Sequence, residues 1–199
     1  MSYIEFDKTK LINLEFMLER EIVRANRGGA FACQTIVGCN TRRHHGLLIT
    51  PQPEIDSEKH ILLSSVHETI IQHDAEFNFG IHRYRDGQYY PKGHKYVRHF
   101  SIDPNPVVLY RVGGVMLQKE IVFSSLRSQV LFRYTLLEAH SETKIRLKPF
   151  LAFRNIHHLS KCNDYVDKNY HETKNGIKCR MYQGYSFLHL QFSKKPDYY

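Results

Sequence analysis

Over most of this chain apolar residues recur at every second position, and that period constrains the fold more than any other feature. Val115, Leu117, Ile121 and Phe123 alternate with polar positions, and Val130, Phe132, Tyr134 and Leu136 do the same. Side chains on a strand point alternately to opposite faces, so each such segment offers one face to a core and one to water. Helical periodicity is scarce from Ile61 onward. Gly113-Gly114 falls between two strand-like segments, where a two-residue hairpin turn demands positive φ, and Asn175-Gly176 is a second strong turn signal. Beyond it Ile177, Cys179 and Met181 alternate with Lys178, Arg180 and Tyr182, and Leu188, Leu190 and Phe192 follow, which predicts a terminal hairpin.

About ten short strands with turns between them predict an all-β, mainly antiparallel fold, a large β-sandwich with at most short helical or loop segments. Between Leu11 and Val23 the acids and leucines suit an amphipathic helix while Ile22-Val23 suits a strand, so both stay open. The polar stretch from Lys161 to Glu172 reads as a loop. With 199 residues, 42% of them hydrophobic, the chain can bury roughly 70% of its unfolded surface in one domain. Residues 1–199 are therefore expected to form a single sandwich. Lys194-Lys195-Pro196-Asp197-Tyr198-Tyr199 follows a strand without a closing element, which suggests the N-terminal part of a longer protein.

Lys and Arg total 28 against 20 for Asp and Glu, a net charge of +8. Lys144, Arg146 and Lys148 alternate with Ile145 and Leu147, as on the wet face of a half-buried strand. No basic tail, RNA-binding aromatic signature or zinc-knuckle spacing accompanies the charge, so nucleic acid is not an expected partner. A basic RNA-binding sandwich remains the lesser alternative, and its affinity would fall steeply with salt. Cys33, Cys39, Cys162 and Cys179 form no Cys-x-x-Cys pair and read as reduced thiols. The Met1–Lys8 start lacks a signal-peptide pattern, and no apolar run approaches the ~20 residues of a membrane span, so a soluble cytoplasmic protein without a membrane partner is expected. Phosphate-binding loops, esterase elbows and zinc-protease motifs have no counterpart here.

The densest polar cluster is Asn40-Thr41-Arg42-Arg43-His44-His45-Gly46-Leu47-Leu48, which follows Asn26-Arg27-Gly28-Gly29-Ala30-Phe31-Ala32 and reads as a loop framed by short strands. These two segments resemble the N-terminal domain of bacterial and archaeal glycogen-debranching enzymes of the amylo-α-1,6-glucosidase type. In that family they run Asn-Gly-x-Gly-Gly-Tyr-Ala-Ser-Gly-Thr and Asn-Thr-Arg-Arg-Tyr-His-Gly-Leu-Leu. Leu62-Leu63-Ser64-Ser65-Val66-His67-Glu68-Thr69, Val112-Gly113-Gly114 with Lys119, and Lys148-Pro149-Phe150-Leu151-Ala152-Phe153-Arg154 with His157 look like further family segments in order. Departures are Arg27, Ala30, Phe31 and His44, which stand where the family has Gly, Gly, Tyr and Tyr.

The resemblance implies a β-sandwich placed before a separate (α/α)₆ barrel that carries the catalytic carboxylates and is absent from this chain. It implies an enzyme that hydrolyses α-1,6 branch points in glycogen catabolism, in some members with 4-α-glucanotransferase activity as well, and without a cofactor. The implied partners are an α-glucan, glycogen or limit dextrin, and the barrel, and the chain alone would be inactive. A stand-alone α-glucan-binding module is the alternative. Asn40, Thr41, Arg42, Arg43, His45 and Gly46 are the substrate-binding candidates, with no catalytic residue in the chain.

Chemistry fits that assignment. A guanidinium presents paired N–H donors that match vicinal hydroxyls or clamp a carboxylate. Alternatively one arginine turns inward to cap carbonyls or pair with an acid while the other is solvated. His45 could donate to a sugar hydroxyl, Gly46 could allow close backbone approach, and Asn40 could bond its own backbone. Glu21 and Glu68 read as structural ion-pair carboxylates. The pairs His44-His45 and His157-His158 point to opposite strand faces, so no metal site is expected. Tyr84, Tyr89, Tyr90 and Tyr96 could offer a platform for stacking pyranose rings.

Overall fold

A computed structural model describes residues 3–198. Met1, Ser2 and Tyr199, on which the readings of the two ends partly rest, lie outside them. Strand β1 (Ile4–Asp7) leads through helices α1 (Lys8–Leu11) and α2 (Leu14–Leu18) into β2 (Glu21–Ala25), β3 (Phe31–Thr35) and β4 (Gly46–Pro51). The long β5 (Lys59–Gln72) is followed by β6 (Ala75–Asn78), the short β7 (His82–Arg83) and β8 (Tyr89–Tyr90), and a 3₁₀ turn at Gly93–Tyr96. Then come β9 (Val97–Ile102), β10 (Pro106–Val112), β11 (Val115–Phe123), β12 (Val130–Glu138) and β13 (Lys144–Asn155). Last are β14 (Tyr170–Thr173), β15 (Gly176–Cys179) and β16 (Leu188–Gln191).

Every pairing among these strands is antiparallel. One sheet runs β1-β9-β10-β11-β12, a second runs β13-β5-β4-β3-β2 with β6 also on β5, and β14-β15-β16 form a third. The protein is thus an antiparallel β-sandwich, and its helices are short. No helix among the described residues is long and apolar enough to cross a membrane.

In the first sheet the period-two pattern holds through β10 and β11 and along β12 as far as Tyr134, whereas Leu136, in phase with them, is exposed. Val108, Tyr110 and Val112 of β10 and Val115 and Leu117 of β11 are buried, with less buried neighbours between them. They pack against Ile22 of β2 and Ile70 of β5 from the second sheet, closing the main core with Phe79 and Phe100. The β10–β11 turn is Gly113-Gly114, with φ of 55° and 79°, the conformation a two-residue hairpin requires.

The second sheet behaves differently, since β4 is buried from Gly46 to Thr50 and β5 is buried along most of its length. A strand covered on both faces reads as a continuous apolar run, which Leu47-Leu48-Ile49 and Ile61-Leu62-Leu63 supply. On one face Glu68 meets Lys119 of the first sheet, 2.7 Å away. On the other the His60 ring hydrogen-bonds Tyr185 Oη at 2.7 Å, and Phe153 of β13 packs edge-on against the same Tyr185. Leu47, Leu62 and Leu63 join Cys179 and Leu188 there in a second core.

The region Leu11–Val23 holds both alternatives in sequence. Asp7 caps α1 by accepting from the Thr9 and Lys10 amides, Asn13 caps α2 by accepting from Phe16, and β2 then begins at Glu21. Leu11 and Met17 are the residues these helices bury. Two expectations need correction. The stretch Lys161–Glu172 is not all loop, because Tyr170, His171 and Glu172 pair with β15. Nor is Asn175-Gly176 itself the turn: Thr173 pairs with Gly176, so the two loop residues are Lys174 and Asn175, the latter with φ of 57°. Gly176 is a buried strand residue where a Cβ would collide with the Leu190 carbonyl.

Candidate functional site

The polar cluster occupies the connection between β3 and β4. Its entry is set by Thr35, whose hydroxyl donates to the Cys39 carbonyl at 2.8 Å and accepts from the Cys39 amide at 3.0 Å. Gly38, with φ of 77°, makes the turn possible. Asn40 then clamps the loop to β5, since its Nδ2 donates to the carbonyl oxygen and hydroxyl of Ser64, both at 2.9 Å. That replaces the expectation that Asn40 bonds its own backbone.

His45 folds back beneath the loop and is 1% exposed. Its Nδ1 accepts from the Thr41 amide at 3.1 Å and, more weakly, from the Arg42 amide at 3.4 Å, while Nε2 lies 3.1 Å from Glu21 Oε1. Because Nδ1 accepts, the proton sits on Nε2 and is donated to Glu21. Burial, partly opposed by Glu21, holds the imidazole below its ordinary pKa, so the neutral form that this geometry needs is favoured. A sugar hydroxyl therefore finds neither nitrogen of His45 free. Gly46 is buried too, with no room for a side chain, since a Cβ would come within 2.7 Å of Ile61 Cγ2.

Loss of this ring should open the loop. His45→Ala is expected to cost about 2 kcal/mol, the order expected when hydrogen bonds to partly buried polar groups are lost. Hydrogen exchange at the Thr41 and Arg42 amides should accelerate with it. Unchanged exchange at those two amides would contradict the role assigned to His45.

What the loop leaves outward is Thr41, half-buried, and Arg42, Arg43 and His44, exposed. Arg42 Nε lies 2.8 Å from Glu21 Oε1, yet its side chain is 69% exposed, so its terminal nitrogens face solvent. Arg43 Nη1 donates to the His157 carbonyl at 3.0 Å, and Arg154 Nη2 donates back to the Arg43 carbonyl at 2.6 Å. The His44 ring sits edge-on to His157 at 5.4 Å. Neither arginine turns fully inward. Arg154, whose pKa burial and Arg43 lower together, also bonds the Asn155 and His158 carbonyls, so it splints the loop to the turn after β13. Of the six candidates, Asn40, His45 and Gly46 build the loop, and Thr41, Arg42 and Arg43 are displayed by it.

Both carboxylates weighed from the sequence are engaged. Glu21 holds Arg42 and His45, and Glu68, 3% exposed, holds Lys119 and accepts from Tyr134 Oη at 2.6 Å. Glu21, Cys33 and His45 also place one possible metal-ligand atom each within 4.8 Å of one another. A cation there would need the Nε2 lone pair of His45. That would move the ring proton to Nδ1, against the amide N–H groups aimed at it, and Arg42 already supplies the positive charge on Glu21. Burial and then Glu21 raise the Cys33 thiol pKa, which further disfavours a thiolate ligand. This donor set does not suit a metal ion.

The tyrosines divide. Tyr84 and Tyr90 are 52% and 66% exposed, whereas Tyr96 packs against Phe77 and Phe79 beside the main core. The splint formed by Arg154 with the Asn155–His158 turn is the part of the site that spacing does not reveal. Its one sequence trace is the Arg154 and His157 pair in the last of the resembling segments.

A family model described as glycogen debranching enzyme N terminal matches residues 20–199. No curated protein matches the chain, and no solved structure does.

Proposed function

We propose, because the chain belongs to the glycogen debranching enzyme N-terminal family, that its arginine loop faces the glucan in an enzyme that hydrolyses α-1,6 branch points of glycogen. The observation that carries this reading is the pairing of rigidity with exposure. Thr41, Arg42 and Arg43 stand on a backbone bound from below by His45 and from the side by Arg154. Donors held this way lose little entropy when they meet vicinal hydroxyls, so binding retains most of what each hydrogen bond contributes. The overall charge of +8 plays no part in holding a neutral polyol.

Branch-point hydrolysis needs two carboxylates, about 5–5.5 or 6.5–9.5 Å apart according to stereochemistry, one as acid and one as base or nucleophile. In this reading they come from an (α/α)₆ barrel. Glu21 and Glu68 serve the sandwich instead, since each already carries its own cationic partner. The exposed Leu131, Leu136 and Leu137 of β12 and Ile145 of β13 are apolar side chains that a docked barrel would cover. A cytoplasmic setting accompanies this assignment.

The test is affinity for a maltooligosaccharide. Arg42→Ala combined with Arg43→Ala should weaken maltotriose binding about tenfold, the equivalent of one lost charge-assisted hydrogen bond. It should leave stability nearly unchanged, because the Arg42 and Glu21 pair is largely solvated. Loss of folding stability with unaltered affinity would reduce the loop to a structural element.

A further inference from the structure

We infer that the β7–β8 hairpin is a second glucan contact, a stacking platform for the α-1,4-linked chain that extends away from the arginine loop. The inference rests on the glucan reading above and adds a site to it. In the hairpin His82 pairs with Tyr90 and Arg83 with Tyr89, so His82 and Tyr90 share one face. Tyr84, two residues beyond His82, shares that face, with its ring 6.5 Å from the His82 ring. Two exposed aromatic rings are thus presented together on one side of a ribbon only a few residues long.

The ribbon is held firmly at both ends. At its tip the Tyr84 amide donates to the Gln88 carbonyl at 2.8 Å, the Gly87 amide to the Tyr84 carbonyl at 3.0 Å, and the Gln88 amide to Asp86 Oδ1 at 3.0 Å. At its base the His82 ring stacks on buried His67 at 4.1 Å and meets Phe150 edge-on at 4.8 Å. A ring mounted on such a base gives up little freedom when a ligand covers it.

Tyr84, Arg85, Asp86, Gln88 and Tyr90 line one shallow surface of the hairpin that is open to solvent. The lining has the chemistry of a pyranose: tyrosine faces for the apolar C–H side of the ring, and planar polar side chains for the hydroxyls at its edge. Arg85 and Asp86 offset each other in charge, which selects a neutral ligand over a phosphate backbone. Openness suits a chain that passes across the site.

The hairpin also lies beside the entry to the arginine loop, for Arg83 is near enough to Cys39, the residue before Asn40, to oppose the rise that burial imposes on the thiol's pKa. The two exposed surfaces therefore stand on neighbouring segments, and a glucan long enough to span them would be gripped at separate points. Such a chain gains affinity over a short one without any change in either contact.

Titration calorimetry of the 199-residue chain with maltotriose and maltoheptaose tests this. Tyr84→Ala with Tyr90→Ala should weaken maltoheptaose about tenfold, from two lost stacking contacts, and should leave maltotriose within about twofold. Both rings are exposed, so the variant should melt as the parent does. Tyr84→Phe with Tyr90→Phe should retain most of the affinity. Maltoheptaose binding unchanged in the alanine variant would overturn the platform while leaving the arginine loop standing, because the Arg42 and Arg43 variant is judged separately on maltotriose. Failure of the parent chain to bind either sugar would remove both. Preference for single-stranded RNA, with affinity collapsing as salt rises, would overturn the glucan assignment of these tyrosines.

Discussion

Glu68→Ala is expected to lower the free energy of unfolding by about 3–5 kcal/mol, the range found when one member of a buried ion pair is removed. Glu68 and Lys119 are 3% and 7% exposed, 2.7 Å apart, at the junction of the two large sheets. The Tyr134 hydroxyl donates to the same carboxylate oxygen. Burial, reinforced by Glu68, raises the Tyr134 pKa far above its ordinary value, so the phenol stays a donor. Removing the carboxylate strands a lysine cation and a hydroxyl where water does not reach. Replacing the whole group, with Glu68→Leu, Lys119→Met and Tyr134→Phe together, should recover most of the loss, since apolar side chains of similar volume substitute well for a buried pair. Urea unfolding at pH 7 measures both. Equal stability of the single and triple variants would show that desolvation of the lysine is not the cause.

Acidification should be nearly as damaging, and through His67. Burial, with contributions from His82, Lys119 and Lys148, holds its pKa at about 4, against 6.5 for a free imidazole. A depressed base is neutral in the folded protein while the unfolded chain takes up a proton. Stability is therefore fully present above pH 6.5 and falls as pH drops toward 4, by about 3 kcal/mol over that window. His45 and His82, both also lowered chiefly by burial, act in the same direction. The cause is visible in the packing: the His67 ring fills the space a side chain at position 80 would need, stacks on His82 and lies against Phe150. His67→Leu should flatten the dependence of urea midpoint on pH between 4.5 and 7. An undiminished slope in that variant would assign the acid sensitivity elsewhere.

These two sites mark where the sequence is informative and where it stops. Period-two patterning makes β11 and β12 as far as Tyr134 legible, and the Gly113-Gly114 turn fixes their hairpin with β10, but Leu136, in phase with Val130, Phe132 and Tyr134, is exposed where β12 runs past the core. The same logic passes over β4 and the first half of β5, which are covered on both faces and so do not alternate. Lys119 lies on the buried side of β11 in phase with Leu117 and Ile121, which is the sequence trace of a buried ion pair. Its partner on β5 depends on how the sheets stack, which local pattern does not encode.

The arginine cluster is equally divided. Its polar density marks Asn40–Gly46 as a unit, but which members reach solvent depends on contacts distant in sequence. His45 turns under its own backbone to meet Glu21, while Arg154 donates to the Arg43 carbonyl and Arg43 to the His157 carbonyl, each across more than a hundred residues of chain. Spacing alone gives His45 and Arg43 equal claims on a ligand, and folding separates them.

The most direct test of the account is the rate at which the catalytic barrel of a debranching enzyme releases glucose from limit dextrin, with and without this chain added. A sandwich that presents substrate but lacks the acid and base should release no glucose alone and should raise the rate of the barrel, and the variant carrying Arg42→Ala and Arg43→Ala should fail to do so. Glucose release by the chain alone, or a barrel rate indifferent to its presence, would contradict the assignment.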